Sequence, residues 1–482
     1  MSFFIKSIDE DLQAPENTLV RPSSLHGDGV LSTVSVPKKD EILFEEAPLL
    51  FIQSLINRKD NIICAGCHTF VGSLSMQLDV LCGSVSRQDQ EDLDNHSTSS
   101  MVLGNSGVGL GTFSGNQLLS PVVLCSHKCG EVYCSAVCGA QHWNRGHCLL
   151  CTGDAEQDDP IVQFKVHAVS SNEIFLLVAD VFAAVCTAVE SLQSEVSRSA
   201  ELATDLIQKT FGSYVREQWW DAAIAPPGSD PIRLRESLKQ LVKESYAMLA
   251  AALRLEARGL NHVLTEEFMS RTIGMFEQNN VGVSVQSPLQ AFATSLLPGH
   301  PSVSHFAGAA QMIADALDKE NEEEEEGDWE DMDEDNESNM EEEVECEEEG
   351  GDEGMYCMAV GEASTLDTAD QRMLTDDPAF NNLQSIFSHA GQDNIFPPVD
   401  GAAFYKKICK INHSCEPNVR VKYACYGKGI GIRAQMVSLR PIAEGEELLQ
   451  SYIDQNMPFE KRQLALRDYG FVCACRKCQE QR

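Results

Sequence analysis

Three thiols at C-x-C-x2-C spacing, Cys473, Cys475 and Cys478, stand one ligand short of a tetrahedral zinc site. The isolated Cys415, within Asn412-His-Ser-Cys-Glu-Pro-Asn418, is the natural fourth. Closing that site presses separate segments together and brings Asn412 and His413 near Tyr452, Tyr469 and Phe471. A second group of ligands lies upstream: Cys64-x2-Cys67, then Cys125-x3-Cys129, Cys134-x3-Cys138 and His147-x3-Cys151. These eight donors suffice for two closed, structural sites with no position left for water. Interleaved pairing puts Cys64, Cys67, Cys134 and Cys138 on one ion and Cys125, Cys129, His147 and Cys151 on the other. That arrangement staples a segment too small to hold itself by burial. His127, His142 and Cys148 are close enough in sequence to be alternative ligands.

The elements that must position these residues are legible in outline. Residues 19 to 47 predict paired strands, Gly29–Val36 and Glu41–Ala47, about a Pro37-Lys-Lys-Asp40 turn. The preceding His26-Gly-Asp-Gly29 lets backbone approach a ligand, because two of its residues carry no Cβ; alone, such a turn is more often merely structural. Residues 68 to 124 predict a polar surface insertion. From 160 to 300 the period is helical. Ile174, Leu177, Val178, Val181, Phe182 and Val185 form one face, and Leu238, Leu241, Val242, Tyr246, Leu249 and Leu253 another, both expected to face a core. Pro226-Pro227-Gly228 divides the helices, and the segment 275 to 285 passes from helix to strand with Asn279 and Asn280 at the junction. Asn456 to Asp468 predicts a capped helix ending at Gly470, which delivers Tyr469 and the cysteines.

Composition narrows the function classes. The chain has 482 residues and a net charge of -38, but residues 320 to 353 hold 22 acidic and no basic residues, leaving 52 acidic against 36 basic elsewhere. The remainder is only moderately acidic, and no basic face for nucleic acid is evident. The segment 319 to 355 predicts a solvated, disordered linker within the chain. The first residues turn acidic at once and do not form a secretory signal. The longest apolar run, residues 174 to 189, is interrupted by Asp180 and predicts a core helix rather than a membrane span. Cysteines at metal spacing without a signal favour zinc in a reducing compartment, hence a soluble protein of the nucleus or cytoplasm.

Taken together, the Asn412–Asn418 heptapeptide, Gly445-Glu-Glu, Ser451-Tyr-Ile-Asp454 and the terminal Cys-x-Cys-x2-Cys after Tyr469-Gly-Phe471 resemble the SET and MYND-domain protein lysine methyltransferases. The upstream Tyr133-Cys134 segment, Trp143 and His147-x3-Cys151 resemble a MYND zinc finger, here with a 57-residue insertion and C-x3-C in place of C-x2-C. The chain is most similar to the diverged branch without a C-terminal helical-repeat domain. Trp219-Trp220-Asp221 and Gly274–Asn280 resemble plant trithorax-related SET proteins. The resemblance implies an α+β fold, with SET β-sheets about a pseudoknot, split by a MYND-type finger and a helical insertion and followed by a zinc-binding post-SET segment. The implied divisions are 17–63 and 378–455 for the two SET parts, 64–151 for the finger with its insertion 68–124, 160–300 for helical insertion and SET strands, 319–355 for the linker and 456–482 for the post-SET segment.

It further implies S-adenosyl-L-methionine as methyl donor and three structural zinc ions. His26, Gly27, Asp28, Gly29, Asn279, Asn280, Asn412, His413, Tyr452 and Phe471 would contact the cofactor, with Phe471 on the adenine. Tyr452 and Tyr469 would line the lysine channel. The expected substrates are histones or other basic proteins, ribosomal ones included, and the enzyme is expected to be a monomer without a nucleic-acid or membrane partner. Asp28 stands where relatives often carry a basic or neutral residue, and as an anion it would meet the cofactor's ammonium. The rival expectation is a SET-shaped scaffold of weak activity that binds partners, proline-rich peptides among them, through its finger.

Overall fold

The computed structural model describes residues 17–83, 118–192, 198–225, 228–330, 377–467 and 469–482. Small, mainly antiparallel sheets and a helical region share the chain, the mixed architecture expected of an α+β protein. Its halves are interleaved. Strand Ile42–Glu46 pairs with Gly431–Ser438, which pairs in turn with Val419–Tyr426. Leu50–Gln53 pairs with Val399–Phe404, whose other edge takes Val281–Val285. The inner faces of these sheets meet in one core that includes Val30, Leu43, Val283, Tyr405, Val421, Met436 and Leu448.

The hairpin expected between residues 29–36 and 41–47 does not form. Asp28–Ser32 pairs instead with Thr18–Pro22, and Val30 and Ser32 also bond backbone at 445–448. Alternation marks a strand but leaves its partner open, and here each strand buries its apolar face only by pairing elsewhere.

The helical region begins with start signals that are satisfied. Asp159 caps the helix Pro160–Ser171, Asp230 caps Pro231–Ala252 and Thr265 caps Glu266–Asn279, each accepting a first-turn backbone N–H. The helix Ile174–Leu192 is long and apolar enough to cross a membrane by composition alone. Phe175, Val178, Phe182 and Val185 are nevertheless fully buried in the largest core, so it is the central helix of this region. The helix to Asn279 hands over to the strand at Val281 as expected.

The helix from Val303 runs to Glu330, through the first twelve residues of the segment expected to be a linker. Its first turns are anchored by buried Phe306, Ala309 and Ala310, and glutamate propagates a helix already nucleated. The rest of the linker and residues 84–117 of the finger insertion lie outside the described residues, as do Pro226 and Pro227.

Candidate functional site

Twelve donor atoms form three groups, each with all its atoms within 4.8 Å of one another: Cys64, Cys67, Cys134 and Cys138; Cys125, Cys129, His147 and Cys151; Cys415, Cys473, Cys475 and Cys478. Four thiolates about 2.3 Å from a zinc ion stand about 3.8 Å apart. The sulfur separations of 3.6 Å for Cys67 to Cys134, 3.9 Å for Cys125 to Cys151 and 3.5 Å for Cys415 to Cys478 match that spacing, and all these cysteines are free thiols. His147 Nε2 lies 3.4 Å from Cys129 Sγ. The other candidates take supporting places: His127 stacks on Trp143 at 4.4 Å, and His142 Nδ1 meets the Tyr133 hydroxyl at 3.1 Å. The segment of Cys64 and Cys67 meets the sheet where Gly431 and Ile432 approach the Cys67 carbonyl. A Cβ on Gly431 would overlap that oxygen, and its φ is +75°.

The third cysteine group adjoins an aromatic cluster. Asn412–His413 lies parallel to Leu449–Gln450. From this strand His413 contacts Tyr452 (ring centroids 5.3 Å apart) and Phe471 (5.7 Å), while Tyr452 contacts Tyr469 at 5.1 Å. All three of these aromatic partners are half-buried. The helix Phe459–Arg467 and the turn at Gly470, with φ +77°, bring Tyr469 and Phe471 here.

Hydrogen bonds fix the protons. Tyr452 donates its hydroxyl to the Ile411 carbonyl at 2.7 Å, so its oxygen lone pairs are acceptors. Tyr469 donates to the Tyr452 carbonyl at 3.3 Å. His413 Nδ1 accepts the Tyr452 backbone N–H at 3.0 Å, so Nε2 carries the proton and points to Cys415 Sγ, 3.3 Å away. Both ring nitrogens are thereby occupied; His413 joins the aromatic cluster to the cysteines and has only backbone to offer a ligand.

On the other side of Asn412 lies the glycine turn. Asn412 Nδ2 donates to the carbonyls of His26 and Asp28 and to Glu447 Oε1 at 2.9 Å. Glu447 also accepts from Ser23, and a Cβ at Gly29 would overlap its carboxylate. Gly27, with φ +47°, stands in open space. Asn412 and His413 thus link the exposed backbone of His26 and Gly27 to the half-buried ring of Phe471. Asp28 is already paired: its carboxylate holds Lys410 Nζ at 2.7 Å, which also bonds Ser213 Oγ and lies 4.6 Å above the Tyr214 ring. Asn279 reaches the segment next to Ser213 and Tyr214, the residues that meet Lys410. Asn279 donates to the carbonyls of Val215 and Met275, and Asn280 is an exposed helix cap.

Glu447 and Lys410 were not singled out by sequence. Glu447 lies within the Gly445-Glu-Glu motif that was; Lys410 had only its place two residues before Asn412 as a signal.

Comparison with known proteins gives this arrangement its context. The chain is 25% identical over 485 residues to histone-lysine N-methyltransferase ATXR2 of Arabidopsis thaliana, covering 92% of this chain and 86% of that protein. A shorter stretch of 79 residues, 16% of this chain and 17% of the other, is 42% identical to N-lysine methyltransferase SMYD2 of Gallus gallus. Another of 84 residues, 17% and 18% of the two chains, is 39% identical to histone-lysine N-methyltransferase SET5 of Yarrowia lipolytica. The SET domain pattern matches residues 27–453, nearly the whole of the sheets together with His413 and Tyr452, and the chain belongs to the SET domain family.

Proposed function

We propose that this chain is an S-adenosylmethionine-dependent protein-lysine N-methyltransferase acting on histones, on other basic proteins, or on both. The observation that carries the proposal is the packing of Tyr452, Tyr469 and Phe471 around His413, between the Asn412 turn and a four-cysteine group, in a member of the SET domain family.

When bound, the cofactor supplies an electrophilic methyl group on a sulfonium. The protein's own work is to prepare the amine. A lysine near pKa 10.4 must lose a proton before it attacks, which at pH 7 costs about 4 to 5 kcal/mol. Half-buried tyrosine walls disfavour the charged form and so lower that cost. The Tyr452 oxygen, its proton committed to the Ile411 carbonyl, accepts an amine N–H and aims the nitrogen lone pair. Rate then comes from orientation and electrostatics rather than from a covalent intermediate. Asn412 and the backbone of residues 26–29 hold the cofactor's amino-acid end, and Phe471 takes the adenine.

Within the same proposal, residues 64–151 form a MYND-type finger holding two zinc ions, and residues 456–482 a post-SET segment that closes a third site with Cys415. The Asn412–Asn418 segment, laid along Leu449–Gln450, is the threaded strand of a pseudoknot. The finger is available to proline-rich partners, and a monomer in the nucleus or cytoplasm suits a reduced, zinc-rich chain.

The test is thermal unfolding with and without S-adenosylmethionine, followed by transfer of labelled methyl into histones and ribosomal proteins. Cofactor-dependent stabilisation and labelling are expected in wild type. Their absence, with an intact fold, would leave the scaffold role instead. Tyr452→Phe is expected to bind cofactor and lose at least about tenfold in transfer rate.

A further inference from the structure

Arg462 lies in the helix Phe459–Arg467 with only 1% of its surface exposed. Its guanidinium donates to the Met457 carbonyl at 2.6 Å, to Gln481 Oε1 at 2.6 Å and to Cys478 Sγ at 3.7 Å. Two of these acceptors are neutral, and among the described residues no carboxylate forms an ion pair with it. Arginine cannot shed its proton in a protein, so a buried guanidinium needs an anion beside it. The group that can provide one is the cluster of Cys415, Cys473, Cys475 and Cys478. As four protonated thiols it is neutral and leaves Arg462 stranded; as a zinc tetrathiolate it is a dianion. Gln463 adds a neutral N–H to the same Cys478 sulfur at 3.2 Å.

We infer that Arg462 is the charge partner of the C-terminal tetrathiolate, a positioning residue that keeps Cys478 on the metal and through it holds Tyr469 and Phe471 in place. The inference rests on the proposal that these four cysteines hold zinc. N–H donation from Arg462 and Gln463 to its sulfur holds Cys478 in the orientation that faces the other three cysteines. Outer partners of this kind change metal affinity by about 10- to 100-fold. The finger sites lie elsewhere in the chain and do not depend on it.

The experiment measures zinc per chain and the rate of chelator-driven zinc release, read by a metallochromic dye, in wild type, Arg462→Met, Arg462→Lys and Gln463→Ala. Wild type is expected to carry three ions. Arg462→Met should retain two, or release the third at least about tenfold faster. Arg462→Lys should recover part of the difference because the charge is kept, and Gln463→Ala should accelerate release less than Arg462→Met. Three ions with unchanged release in Arg462→Met would overturn the role of Arg462 alone. Two ions in wild type would overturn the third site and this inference with it, while leaving methyl transfer to be judged by labelling. If Arg462→Met does not fold, a Cys415→Ser background decides: with the tetrathiolate broken, the added Arg462→Met change should cost no further stability, and a large further loss would overturn the charge pairing.

Discussion

Lys410→Met tests how the glycine turn is held. The lysine side chain is 9% exposed and that of Asp28 33%, with Nζ 2.7 Å from the carboxylate. Removing one partner of a fully buried pair costs about 3 to 5 kcal/mol, largely because the other charge is left without compensation. A third of Asp28 stays in water, so its orphaned carboxylate keeps some hydration, and the expected cost falls to about 2 kcal/mol. Methionine keeps most of the apolar stem and removes the ammonium that lies above the Tyr214 ring, which makes the loss mainly electrostatic. Asp28→Asn leaves Lys410 its bond to Ser213 and the Tyr214 ring, and should cost about 1 kcal/mol. In the double variant no charge is stranded, so its loss should fall short of the sum by about 1 kcal/mol or more. Urea unfolding of the four proteins measures this coupling, and a value below about 0.5 kcal/mol would refute the reasoning. Because Asp28 belongs to the turn proposed to receive the cofactor, Lys410→Met should also weaken S-adenosylmethionine binding by about tenfold, read by calorimetry.

Other consequences can be checked alongside. Cys478→Ser is expected to lose one zinc ion of three and, by loosening Tyr469 and Phe471, to abolish cofactor binding without touching a group that meets the substrate; unchanged affinity in calorimetry would count against that link. Gly431→Ala, which combines a φ of +75° with overlap on the Cys67 carbonyl, should cost about 2 kcal/mol or more in urea while leaving zinc content intact. Gly29→Ala should push Glu447 away from Asn412 and weaken cofactor binding more than it lowers stability, a split that calorimetry and thermal unfolding together resolve.

Where short spacing or local chemistry decides, the sequence was a good guide. Counting donors gives Cys415 as the fourth partner of Cys473, Cys475 and Cys478, since a tetrahedral ion accepts four, and gives two groups upstream, whose interleaved division counting alone leaves open. The helix at 174–192 and the passage into strand at 281 follow from apolar period. Strand pairing was not legible, because alternation in residues 29–47 says that each strand has an apolar face and nothing about which distant edge covers it. The twin occupation of His413, the pairing of Asp28 with Lys410 and the burial of Arg462 were hidden for a related reason. A charged or polar residue beside a motif reads as solvent-facing until the segments that enclose it, here from residues 213, 28 and 478, are brought to it.

The pairing of Ile42–Glu46 with Gly431–Ser438 sets an order of events during synthesis. Nearly four hundred residues must leave the ribosome before that strand meets its partner, whereas both upstream cysteine groups have emerged by residue 151 and the central helices soon afterwards. The segment that carries these groups and the helical region can therefore fold while Val30 and Leu43 still await their cover. For that interval the early strands present unpaired edges, and the nascent chain is a candidate client for holdase chaperones.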